Sequence, residues 1–129
     1  MLTVKELLET ANAMVPHVSV EEAKTLMAEG ALVLDVRDAP EIAHSGKVEG
    51  AHHISRGMLE FRADPDCQFH DPELRRDRPV IVYCASGGRS ALAGKLLKDM
   101  GYQEVYNLGG FAGWVEAGGA VRRSLDPGM

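Results

Sequence analysis

The chain has 129 residues, 45% hydrophobic and 26% charged, which is typical of one compact domain that needs no disulfide framework or structural metal. Its net charge of −5 argues against a nucleic-acid partner, because non-specific binding relies on Lys and Arg to neutralise phosphates. With only two cysteines and no apolar run near the ~20 residues that span a bilayer, the sequence indicates a cytoplasmic protein without a membrane partner.

Two helices are predicted at the N-terminus. Each opens with a capping box, in which a Ser or Thr is followed three residues later by Glu; the pairs are Thr3–Glu6 and Ser19–Glu22. The first helix is expected to end at Pro16 and the second at about Gly30. We therefore divide the chain into an N-terminal helical extension (1–17), a main domain (18–118) and a C-terminal tail (119–129) that we expect to be frayed.

Short apolar strands alternate with helices along the main domain. The expected strands share apolar runs and cover residues 31–36, 51–54, 80–83 and 105–108. Four helices are expected between and after these strands. The first opens at Asp38 with Glu41, the second covers 55–62, the third follows the segment after residue 84 and ends at Gly101, and the fourth covers 111–117. A polar segment, 64–79, is predicted to be irregular. This alternation predicts an α/β fold with a parallel sheet covered by helices on both faces, whose ligands bind at the carboxyl ends of the strands.

Cys84 follows the clearest strand, 80–83, and leads through Ala85, Ser86, Gly87, Gly88, Arg89 and Ser90 into a helix. A helix N-terminus favours negative charge, the two glycines let successive amides point inward, and Arg89 adds a permanent positive charge. These features favour a thiolate, so Cys84 is predicted to be a nucleophile. A buried structural cysteine is the alternative, which the Gly-Gly-Arg context disfavours. We expect no cofactor and no metal, because neither cysteine has zinc-ligand spacing.

Three segments resemble the rhodanese domain family. The loop from Cys84 to Arg89 and Ser90 is similar to the active-site loop of that family. Leu-Asp-Val-Arg at 34–37, with Glu41 and then 46–51, matches the family's N-terminal signature, although Lys47 and Glu49 depart from the common form Gly-His-Ile-Pro-Gly-Ala. The segment 107–114 matches the C-terminal signature. The three motifs occur in the family's order and cover roughly residues 18 to 118.

The resemblance implies a rhodanese-like fold with a five-stranded parallel sheet. It also implies a sulfurtransferase that moves sulfane sulfur from thiosulfate or a persulfide to cyanide, a thiol or a protein, through a persulfide on Cys84. The residues of the loop would bind the substrate: Ala85, Ser86, Gly87, Gly88, Arg89 and Ser90. Asp35 and Arg37 lie at a strand end that should approach the loop. They either support the active site electrostatically or form a salt-bridged scaffold, and the second interpretation is favoured.

Two other functions are weighed against catalytic sulfur transfer. A sulfur relay or binding module would use the same persulfide with a protein partner. A dual-specificity phosphatase would place five residues between Cys and Arg, whereas four separate Cys84 from Arg89. Cys67 is interpreted as a surface thiol, with a resolving role for Cys84 as the alternative. Four histidines could line an entrance, but none has a role in a motif: His44, His52, His53 and His70.

Overall fold

In a computed structural model of the protein, residues 1–123 are described, and helices alternate with strands along them. The elements, in chain order, are α1 (Val4–Met14), α2 (Val20–Ala28), β1 (Leu32–Asp35), α3 (Ala39–Ser45), β2 (Lys47–Val48), β3 (His52–His53), a 3-10 turn (Arg56–Met58), α4 (Leu59–Ala63), β4 (Val80–Cys84), α5 (Gly88–Asp99), β5 (Val105–Gly110), α6 (Phe111–Glu116) and β6 (Val121–Arg122). The polar segment between α4 and β4 contains only turns, as predicted.

The main sheet has four parallel strands in the order β3-β1-β4-β5. Every residue of β1 and β4 is buried, which explains why both are nearly continuous apolar runs. The order places β4 in the interior of the sheet, so its last residue, Cys84, lies at the carboxyl edge between the ends of β1 and β5. The predicted α/β class with a parallel sheet is confirmed.

The four strands expected from the apolar runs are found, whereas the count of five that the family resemblance implied was wrong, because the described residues contain four strands in this sheet. The fifth position, beyond β5, is reduced to a single parallel bridge between His17 and Asn107. Asn107 donates its N–H to the Pro16 carbonyl (2.9 Å) and accepts from the Val18 N–H (3.1 Å). The segment cannot lengthen into a strand because Pro16 has no N–H to donate and Ser19 already caps α2.

Two apolar clusters pack against opposite faces of the sheet. Alternate strand residues point to opposite faces, so Leu32 and Leu34 join one cluster and Val33 joins the other. The first cluster contains residues of α4 and α5 together with Val15, at the end of α1, and the second contains residues of α2 and α6. Val15 lies so close to α5 that a Cβ on Gly94 would meet it at 3.0 Å. The expected helices on both faces are therefore confirmed.

The residues after Gly118 were expected to be frayed, and this was wrong for the described part of the tail. Val121–Arg122 forms β6, which pairs antiparallel with β2. The indole N–H of Trp114 donates to the Ala120 carbonyl at 2.8 Å, which attaches the segment to α6. A two-residue strand carries no periodicity that a sequence could reveal. The remaining tail, 124–129, lies outside the described residues. Within residues 1–123, no helix is both long and apolar enough to cross a membrane.

Candidate active site

Cys84 ends β4, is 1% exposed, and is surrounded by hydrogen-bond donors from the loop that follows. Its Sγ accepts the N–H of Gly87 at 3.0 Å and the N–H of Ser90 at 3.4 Å. The Ser90 Oγ lies 3.4 Å from the same sulfur. Gly87 has a φ of +104°, a left-handed conformation that glycine adopts without strain. This turn starts α5 at Gly88 and wraps the chain around the sulfur.

These contacts favour the thiolate form of Cys84. Burial alone would raise the pKa of the thiol. The hydrogen bond between the sulfur and the Ser90 side chain, and those from the backbone N–H groups of Ser90, Gly87 and Ser86, outweigh it, so the pKa of Cys84 is lowered from its ordinary value. The arrangement can therefore stabilise an anionic sulfur, whether a thiolate or the terminal sulfur of a persulfide.

Asn107, on β5, is fully buried and holds the loop from behind. Its Oδ1 accepts the Ser90 hydroxyl (2.8 Å) and the Gly109 N–H (2.8 Å), and its Nδ2 donates to the Gly87 carbonyl (3.3 Å). Asn107 belongs to the segment that matches the C-terminal signature, and no role was predicted for it. A polar residue among the apolar residues of a predicted strand, two residues before Gly109, was the signal that could have identified it.

Arg89 is bound to Glu41 of α3 in a bidentate ion pair. Its Nη1 and Nη2 donate to the two Glu41 carboxylate oxygens at 2.6 and 2.9 Å. The guanidinium lowers the pKa of Glu41 to about 2, and the carboxylate in turn raises the pKa of Arg89. We expected the charge of Arg89 to stabilise the Cys84 thiolate. The anion that it meets is this carboxylate, and the described hydrogen bonds to the sulfur come from other groups.

Asp35 and Arg37 form a buried salt bridge at the end of β1, with an Nη2–Oδ2 distance of 2.8 Å. Arg37 also donates to Ser45 Oγ (2.8 Å) and to the Gly46 carbonyl (2.7 Å), while the Tyr83 hydroxyl donates to Asp35 (2.6 Å). The guanidinium carbon lies 4.5 Å from the centre of the Phe111 ring. The pair thus ties β1 to α3, β4 and α6 beneath the loop, and the charge of each partner is compensated by the other.

The Cys84 loop separates two cavities. The first, which we call the mouth cavity, has a volume of about 280 Å³ and is lined by Arg37, Glu41, His44, Ser45, Ala85, Phe111 and Ala112. The second has a volume of about 410 Å³ and is lined by residues of α1 and the segment after it together with the loop: Leu8, Asn12, His17, Ser86, Gly87, Gly88 and Gly109. The loop is therefore accessible from two sides, and the N-terminal extension forms part of one of them.

Most of the remaining candidates lie away from the sulfur-binding loop. His44 lines the mouth cavity, whereas the other three histidines are bound to protein groups: His52 to Asp71, His53 to the Arg37 carbonyl and His70 to the Leu74 carbonyl. Cys67 is a half-buried free thiol in the irregular segment. Among residues 1–123, no group of three or more His, Cys, Asp and Glu side chains is placed to hold a metal ion.

Comparison with known proteins assigns the family. The model of the rhodanese-like domain matches residues 19–117. The chain belongs to the rhodanese-like domain family. This rhodanese is 36% identical to the thiosulfate sulfurtransferase GlpE of Pseudomonas fluorescens over 73% of its own length and 79% of the relative's. It is 37% identical to the GlpE of Actinobacillus succinogenes, over 72% and 77% of the two chains.

Two solved structures are similar over nearly the whole chain. A Rhodopseudomonas palustris protein, described as of unknown function and a possible tyrosine phosphatase, superposes with a TM-score of 0.87 at 36% identity, covering 95% of this chain and 96% of that one. The polysulfide-sulfur transferase of Wolinella succinogenes has a TM-score of 0.72 at 30% identity, covering 97% and 90%. Together with the curated relatives, these similarities class the chain as a rhodanese-type sulfurtransferase.

Proposed function

We propose that this rhodanese transfers sulfane sulfur from a donor to a thiophilic acceptor through a persulfide on Cys84. The observation that supports this most is the position of the Cys84 sulfur. It is buried at the carboxyl edge of the sheet and accepts N–H groups of Gly87 and Ser90, with the Ser90 hydroxyl beside it. These contacts stabilise the thiolate that attacks the donor and would equally stabilise the persulfide that results.

The reaction has two balanced halves. The Cys84 thiolate attacks the outer sulfur of the donor. A new S–S bond forms while the donor's own bond to that sulfur breaks, and its electron pair leaves with sulfite (from thiosulfate) or with a thiolate (from a persulfide). An acceptor thiolate or cyanide then attacks the outer sulfur of the Cys84 persulfide. The Cys84 thiolate leaves with its electron pair, and the product is a new persulfide or thiocyanate.

The chain's other site residues have distinct proposed roles. The backbone of the loop from Ala85 to Ser90 binds the transferred sulfur, and Asn107 fixes the loop by holding Ser90 and Gly87. Asp35 and Arg37 act as a buried scaffold beneath it. Thiosulfate, the substrate in the names of the Pseudomonas and Actinobacillus relatives, is one proposed donor, and a persulfide is the other.

The proposed acceptors are cyanide, a low-molecular-weight thiol or a protein cysteine. With a protein acceptor, the chain would act as a sulfur relay through the same Cys84 persulfide. The two free cysteines suit a reducing, cytoplasmic compartment, which we propose as the location.

Intact-mass measurement after incubation with thiosulfate tests the persulfide directly. We expect one added sulfur atom on the wild-type chain and none on Cys84→Ser, which should also release no thiocyanate from thiosulfate and cyanide. Cys67→Ser is the matched control, because it removes the other free thiol, and it should retain both the added sulfur and most of the activity. If Cys84→Ser still turns over at the wild-type rate, the proposed function is wrong.

Phosphatase activity is the second candidate, because the similar Rhodopseudomonas structure is described as a possible tyrosine phosphatase. The loop here places four residues between Cys84 and Arg89, one fewer than dual-specificity phosphatases have. In addition, the guanidinium that would bind a phosphate already binds Glu41. A steady-state assay with an aryl phosphate distinguishes the two functions. Turnover of that ester without any persulfide formation would favour the phosphatase.

A further inference from the structure

The charges around the mouth cavity compensate one another in pairs. Arg37 lines the cavity, but its guanidinium is bound to the buried carboxylate of Asp35. Glu41 also lines the cavity, and both of its carboxylate oxygens are bound to Arg89. Arg89 is not among the residues that line this cavity. A donor that enters here therefore meets the Glu41 carboxylate and no uncompensated arginine.

The ion pair between Glu41 and Arg89 is accessible and fixed in position. The side chains of Arg89 and Glu41 are 39% and 34% exposed, so solutes can reach both partners. Glu41 is held from the other side as well, because its Oε1 accepts the Asp38 N–H at 3.1 Å. A carboxylate that is bonded at both ends stays in place while a donor enters. An anionic donor must then displace it from Arg89 or bind beside it.

We propose that Glu41 determines the donor specificity of this rhodanese by withholding the Arg89 charge from anionic donors. The proposal deepens the proposed function and rests on it for the identity of the reaction. Thiosulfate carries two negative charges close to the transferred sulfur, whereas a simple persulfide carries one, on the transferred sulfur itself. The loss of Arg89 as a partner therefore penalises thiosulfate more strongly. The favoured donor class is a persulfide with little charge beyond its terminal sulfur.

Glu41 also has a structural role, which the test must separate from the electrostatic one. It stands at the third position of α3 and caps that helix through the Asp38 N–H. Glu41→Gln keeps an oxygen for this hydrogen bond, removes the charge, and replaces the second acceptor of Arg89 with an amide N–H donor. Glu22→Gln is the matched control, because Glu22 caps α2 from the same position through the Ser19 N–H. Both variants remove the charge of a glutamate that caps a helix, but only Glu41→Gln changes a residue of the mouth cavity.

The first measurement compares two donors. We expect Glu41→Gln to raise kcat/KM for thiosulfate by about tenfold or more, since one charge-assisted contact to Arg89 becomes available. We expect kcat/KM for mercaptoethanol persulfide, whose only charge lies on the terminal sulfur, to change by less than about threefold on the same basis. Glu22→Gln should leave both values unchanged. Equal changes for the two donors in Glu41→Gln, or no change for thiosulfate, would overturn the proposal and show that Glu41 only holds α3 and the loop.

The second measurement does not require sulfur transfer, so the two proposals can fail separately. Iodoacetate and iodoacetamide alkylate the same Cys84 thiolate and differ in charge. We expect Glu41→Gln, but not Glu22→Gln, to raise the rate ratio of iodoacetate to iodoacetamide. If Glu41→Gln does not fold, the iodoacetate-to-iodoacetamide rate ratio of wild-type Cys84 is compared with the same ratio for the free thiol mercaptoethanol. A much higher ratio for Cys84 would show that the mouth cavity attracts anions, which would contradict the proposal. Sulfur transfer that fails in the wild type, with the alkylation result intact, would reject the proposed function alone.

Discussion

Gly110 is the position where the smallest change should disturb the active-site loop most. A Cβ at residue 110 would lie 2.5 Å from the Ala85 carbonyl oxygen and 3.3 Å from the Ser86 Cα. Real Cβ atoms essentially never approach closer than 3.0 Å, so the loop must move by at least about 0.5 Å in Gly110→Ala. Misplacement by about 1 Å can cost ~10²-fold in rate. We therefore expect a loss of about 10- to 100-fold in kcat/KM, with a cost of about 1–3 kcal/mol in stability for the overpacking.

The assay is thiocyanate formation from a persulfide or thiosulfate with cyanide, together with urea unfolding of each variant. Gly113→Ala is the control, because it adds the same methyl group three residues later, where no atom lies within 4 Å. That variant lies within α6, so it should keep its activity and gain up to about 1 kcal/mol of stability from helix propensity. If Gly110→Ala folds and its kcat/KM stays within about threefold of the wild-type value, then sulfur transfer does not depend on the exact position of the loop, and the prediction is wrong.

Three further predictions concern ionisation and donor choice. Ser90→Ala should raise the pKa of the Cys84 thiol more than Arg89→Ala does, because it removes the hydroxyl beside the sulfur, whereas Arg89 is bound to Glu41. The pH profile of iodoacetamide alkylation reports both pKa values, and the reverse order would show that Arg89 stabilises the thiolate more than the Ser90 hydroxyl does. The pKa of Glu41 falls from 4.5 to about 2 on folding, so its stabilising effect is complete above pH 4.5 and is lost as pH falls towards 2. Urea unfolding should show that the free energy of unfolding falls less between pH 4.5 and pH 2 in Glu41→Gln than in the wild type. Equal dependence of that free energy on pH in the two proteins would refute this. The kcat/KM for glutathione persulfide should exceed that for thiosulfate, because the carboxylates of glutathione lie far from the transferred sulfur, whereas the sulfonate of thiosulfate is bonded to it. A preference for thiosulfate would reject this donor order but not sulfur transfer itself.

The parts that the sequence predicted are those encoded locally. The strand before Cys84, the glycines after it and the helix that follows are contiguous, so the loop could be inferred from neighbouring residues alone. The same holds for the capping box of α2, where Ser19 and Glu22 are three residues apart. The parallel sheet followed from alternating apolar runs and helices, which need no knowledge of long-range contacts.

The contacts that complete the site were not predictable because they join distant segments. Glu41 and Arg89 are 48 positions apart, and the sequence showed each only as a member of its own motif. Arg89 was therefore expected to stabilise the sulfur directly, whereas its guanidinium is bound to the Glu41 carboxylate of α3. Asn107 and Ser90 are 17 positions apart and meet only because β5 lies beside β4. The fifth strand that the family resemblance implied is interrupted here by Pro16 and by the Ser19 cap, which leave a single bridge between His17 and Asn107.

The junction between Asn107 and the segment Pro16–Val18 has a consequence for where this protein can be shortened. The family model spans residues 19–117, so a chain trimmed to those limits would lose the backbone partners of Asn107. The same cut would remove Val15 from its contact with α5, and would detach Trp114 from Ala120 at the other end. We therefore expect a chain cut to the limits of the family model to be less stable than the whole chain. The Cys84 loop should also be less firmly held in the shortened chain.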